Sequence, residues 1–106
     1  MANPVSFSEC LRPVPRPDDP VDFGKALRQY EKCNVALEKA RLAKVVPVLD
    51  EDEGLQFVQW SKAWSMFLAA RAIDPKQKSE WVEWVERWSA LEAREIDKKA
   101  ATSQRH

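Results

Sequence analysis

Proline decides where this chain cannot be regular. Four of its seven prolines, Pro13, Pro15, Pro17 and Pro20, crowd into eight residues, while Pro47 and Pro75 stand alone far downstream. Proline has no amide hydrogen to donate and its ring clashes with the preceding helical turn, so 13–20 reads as an extended arm and 47 and 75 as breaks. The segments between and after those breaks contain no proline and share only two glycines, Gly24 and Gly54. Their apolar residues recur at steps of three and four, the period of an amphipathic helix.

Three helices follow, at about 23–44, 51–72 and 75–98. The first carries Phe23, Ala26, Tyr30, Cys33, Leu37 and Ala40 on one side and ends before Pro47. The second opens with Asp50 as cap and Glu53 three residues on, with Asp50 to Glu53 placing negative charge where the helix dipole favours it. Its apolar arc holds Phe57, Trp60, Ala63, Trp64, Phe67, Leu68 and Ala70, with Arg71 as an exception near its end. In the third, Asp74 caps, Pro75 takes the first helical position and Gln77 completes a capping-box pattern. So short a connection makes the second and third helices antiparallel neighbours, with their aromatic sides expected to face each other. The expected fold is therefore all-α: a three-helix bundle over 23–98, a Pro-rich arm over 1–22 and a polar tail over 99–106. Ahead of the prolines, Phe7, Cys10 and Leu11 have the spacing of one amphipathic turn that docks on an apolar surface.

The spacing Ala63-x3-Phe67-x2-Ala70, then Pro75, then Trp81-x2-Trp84-Val85-x2-Trp88 resembles the junction between two tetratricopeptide repeats. Val85 stands where that repeat has glycine, and nothing before Ala63 fits, so the resemblance implies helical pairing and assigns no role to any residue.

Composition closes off several functions. Seventeen basic residues balance seventeen acidic ones, so no global field draws the chain to nucleic acid or an anionic surface. The sole histidine is His106, in the expected tail, which leaves no histidine for a triad or a metal centre in the helices. Cys10 and Cys33 lack metal-ligand spacing and read as reduced thiols. Neither glycine opens a phosphate loop. No cofactor, no metal and no membrane span is expected. The start of the chain lacks a targeting pattern, so a cytoplasmic setting is expected.

What remains is a surplus of indole. Trp60, Trp64, Trp81, Trp84 and Trp88 fall within 29 residues, more ring than a three-helix core lined with Ala and Cys readily takes. Most should be core, each burying ~150–250 Å². Trp84 sits at the margin of the third helix's apolar arc and is the expected exception. Tryptophan and arginine dominate binding hot spots, so Trp84, with Trp81, Trp88 and Arg71, forms the candidate partner surface. Arg71 is expected to stack on Trp81 as a cation–π pair. Pro13, Pro15 and Pro17 are preorganised toward polyproline II and suit an aromatic groove, the chain's own or a partner's.

Charge is also uneven. From Phe23 to Val46 there are six basic and two acidic residues, and Lys25, Arg28, Lys32, Lys39 and Arg41 make a candidate basic face. The expected function is non-enzymatic: a protein-binding module that serves as a small subunit of a larger assembly, or as its modulator or inhibitor. A nucleic-acid accessory using the basic helix is the alternative, and a small all-α enzyme using carboxylates and arginines is the second.

Overall fold

A computed structural model describes residues 7–45 and 51–104. It contains four helices, α1 Phe7–Cys10, α2 Phe23–Leu42, α3 Glu51–Arg71 and α4 Pro75–Gln104, and no strand among the described residues. The molecule is flat, 47 × 39 × 23 Å.

Helix boundaries follow local chemistry. Asp22 caps α2, its Oδ1 accepting from the Lys25 amide at 2.8 Å. The far end of α2 falls two residues short of the expected Lys44. Lys44 takes the left-handed conformation (φ 58°), its amide donates to the Arg41 carbonyl, and the Val45 amide reaches back to the Ala40 carbonyl at 2.9 Å. This is the Schellman pattern, with lysine where glycine is usual. It ends the helix at Leu42. The expected Asp50 cap of α3 lies outside the described residues. At α4, Asp74 Oδ1 accepts from the Lys76 amide at 3.0 Å, and Pro75 is the first helical residue.

α3 and α4 are antiparallel and pack along most of α3. The side of α3 turned to α4 is made of Val58, Ser61, Ser65, Leu68 and Ala72, all buried, with Gly54 on the same line near the Glu95 carboxylate. Two serines at the centre of this strip bring the helix backbones close. The expectation that the two aromatic sides meet face to face is therefore corrected in part: they touch at one edge, where Phe57 and Trp88 lie 5.9 Å apart, and the larger rings of α3 turn elsewhere. Trp60, Trp64 and Phe67 sit about 80–140° around α3 from the centre of that strip. They face α2 and the arm instead, because serine is small enough to lie under a neighbouring helix and indole is not.

Tyr30 of α2 fills the notch this creates, lying 5.7, 5.8 and 6.0 Å from the ring centroids of Trp60, Trp64 and Trp81. Trp64 is 1% exposed. At ~25 cal/mol per Å², each such ring contributes several kcal/mol. The predicted amphipathic turn at the start of the described chain is α1, whose buried Phe7 packs on Phe57 at 6.2 Å.

α4 runs on to Gln104, past the expected end near 98 and into the segment expected to be a tail. Past the last indole, Glu92 and Glu95 belong to a polar seam that prolongs the packing. Glu92 pairs with Lys62 at 3.1 Å, and Lys99 with Asp52 at 2.7 Å. Asp52, by hydrogen bond and by charge, holds the Lys99 ammonium above its usual 10.5.

Candidate interaction surface

α4 presents its indoles at three depths. Trp81 is half-buried, edge-on to Tyr30 at 88°, and Trp88 is half-buried, edge-on to Phe57 at 5.9 Å. Trp84, one turn from each, touches neither α2 nor α3 aromatics. It is 42% exposed, as its position at the arc's margin predicts. Its ring stacks on Trp88 at 6.1 Å and 26°, and the Arg87 guanidinium lies 5.0 Å over it. Leu91, 37% exposed, extends the surface by two turns from Trp84. The result is a shallow apolar face with a cation at its edge. Both its indoles are held in place by neighbours, so little rotamer freedom is left to lose on binding.

Arg71 is not part of this face. Its guanidinium lies 4.9 Å over Phe67, not over Trp81, and its Nη2 donates to the main-chain oxygens of Pro17 and, at 2.9 Å, of Asp19. The expected Arg71–Trp81 pair is corrected: the arm supplies carbonyl acceptors that bind a guanidinium better than a ring face does.

The same contacts place the arm. Trp60 Nε1 donates to the Arg12 carbonyl at 2.8 Å, so both ends of the proline run are tied to α3. Between the ties, a turn over 16–19 is closed twice, by Asp19 N–H to the Arg16 carbonyl and by Arg16 N–H to Asp19 Oδ2 at 2.8 Å. Pro13, Pro15 and Pro17 thus lie along the chain's own aromatic helix, on the side of α3 away from α4. The arm and the Trp84 face are therefore two separate sites, and Arg71 belongs with the arm.

The basic residues divide similarly. Lys25, Arg28, Lys32 and Lys39 are exposed within about 60° of one another on the outer side of α2. Arg41 is exposed on a different flank and pairs with Glu38 at 3.4 Å. Val35 and Ala36 are also exposed between the basic side chains, lining a shallow groove with Arg28, Lys32 and Lys39.

Cys10 and Cys33 are free thiols. Among the described residues no three His, Cys, Asp or Glu side chains are grouped so as to hold a metal ion, and no helix is long and apolar enough to cross a membrane. Sequence reading missed the two buried serines and the cleft that the arm leaves over α3. Ser61 and Ser65 repeat at i, i+4 in line with Leu68 and Ala72, a signal available to a reader who counts serine as a possible packing residue.

No family model, curated protein or solved structure matches this chain. The tetratricopeptide-like spacing accordingly identifies no family.

Proposed function

We propose that this protein is a non-enzymatic binding module that attaches to another protein through the Trp84 face of α4, as a small subunit or modulator of a larger assembly. α2, α3 and α4 act as a three-helix scaffold, braced by the arm and presenting that face. The observation that carries the reading is the contrast between Trp84, exposed and stacked between defined neighbours, and Trp64, buried in the core one helix away. An indole beside an arginine and a leucine is the side-chain chemistry of a hot spot that fills a pocket on a partner. Two free thiols suit a reducing, cytoplasmic setting.

The nucleic-acid reading is favoured only by the arc of Lys25, Arg28, Lys32 and Lys39. Single-strand binding needs exposed aromatics among such charges, and Tyr30, the aromatic in the middle of α2, turns inward to three indoles. The deciding experiment compares capture of partners by wild type, Trp84→Ala and the double variant Lys32→Glu with Lys39→Glu, followed by mass spectrometry. The reading requires a partner lost in Trp84→Ala and retained in the double variant.

A further inference from the structure

Between the arm and α3 lies a cleft of ≈ 540 Å³, within the range of small-molecule sites. Its walls are Pro15 and Pro17 on one side and Ala63, Met66 and Phe67 on the other, with Arg16 and Arg71 as its charged members. Met66 is 54% exposed. The chemistry of the walls restricts the occupant. Pro13, Pro15 and Pro17 have no N–H. The Arg16 N–H is taken by Asp19, the Arg12 and Pro17 carbonyls are taken by Trp60 and Arg71, and the α3 backbone is bonded within its helix. An extended peptide, which is recognised through main-chain hydrogen bonds, finds few here.

The two guanidiniums are different. Neither has a carboxylate within ion-pair distance among the described residues. Arg71 gives its Nη2 to the Pro17 and Asp19 carbonyls, while its Nε is buried with no hydrogen-bond partner. The site therefore offers an apolar trough and positive charge, and almost nothing else.

We propose that this cleft binds a free, single-chain amphiphilic carboxylate, with the acyl chain along Met66, Phe67 and Pro15 and the carboxylate toward Arg16 and Arg71. The proposal is independent of the Trp84 face, which lies on another helix.

The test titrates the full chain calorimetrically with dodecanoate, and with dodecyltrimethylammonium as a probe of equal tail and opposite charge, both below micelle formation. Dodecanoate should bind with a dissociation constant on the order of 10 μM, and the cation at least about tenfold more weakly. Ala70→Phe, at an exposed position lining the cleft, should block the trough and weaken dodecanoate by about tenfold or more. Arg16→Gln, outside every helix, should weaken it by about fivefold, and it decides the matter if Ala70→Phe disturbs the fold. Equal affinity for the two probes would overturn the proposal. So would dodecanoate binding that survives both variants but is lost in Trp84→Ala, since the chain would then be adsorbing to α4. Displacement of dodecanoate by a blocked acidic-apolar peptide at lower concentration would assign the cleft to a protein partner and overturn it equally.

Discussion

The indole N–H of Trp60 donates to the main-chain oxygen of Arg12 at 2.8 Å, joining positions 48 residues apart. Arg71 does the same for Pro17 and Asp19 at the other end of the proline run. A segment with almost no hydrogen-bonding capacity of its own is thus held at two points by side chains of one helix.

Trp60→Phe keeps a large ring against Tyr30 and Phe57 and removes the bond to Arg12. It should cost ~1–2 kcal/mol, since the Arg12 carbonyl loses its partner. Arg71→Met should cost a similar amount, and the two together less than their sum, because either alone frees one end of a shared strap. Chemical denaturation gives the energies. Amide hydrogen exchange at Arg16 and Asp19 should speed up in both variants. Unchanged exchange would mean the arm is held by something other than these bonds.

Ser61 makes an opposite kind of prediction. Its hydroxyl is fully buried and has no hydrogen-bond partner, whereas Ser65 donates to the Ser61 carbonyl at 2.8 Å. Removing an unsatisfied hydroxyl relieves its desolvation cost, so Ser61→Ala should be neutral or stabilise by up to ~1 kcal/mol. Ser61→Leu should destabilise by ~1–3 kcal/mol or more, by forcing α3 and α4 apart. Thermal melts of the pair should therefore shift to opposite sides of wild type, or Ser61→Ala should not shift at all.

Lys44 holds a left-handed conformation that costs a non-glycine residue roughly 1 kcal/mol. Lys44→Gly should raise stability by ~0.5–1 kcal/mol if the Schellman end of α2 is as described. A loss of stability would show that α2 does not stop there.

Much of this architecture is legible in the sequence, and the gaps have physical causes. The start of α4 is written in Asp74 and Pro75, and the docked turn in Phe7, Cys10 and Leu11. The position of Trp84 on its helical wheel is enough to separate it from Trp81 and Trp88. What periodicity does not reveal is which of two adjacent faces of α3 meets which neighbour. The choice turned on Ser61 and Ser65, whose polarity hides their packing role. The partners of Arg71 and Trp60 are main-chain carbonyls, which leave no trace in residue type. α4 outlasted its apolar pattern because Lys62–Glu92 and Asp52–Lys99 continue the pairing by charge.

The central claim is that Trp84 is built for a partner and not for the core. Single Trp→Ala changes at 64 and 84 test it most directly, by measuring both unfolding free energy and affinity for whichever partner the wild-type chain captures. Trp64→Ala should lose ~3–5 kcal/mol of stability through the cavity it leaves. Trp84→Ala should stay within ~1 kcal/mol of wild type in stability while weakening partner binding by ~2 kcal/mol or more. Loss of stability at Trp84 comparable to that at Trp64, with affinity unchanged, would contradict the account.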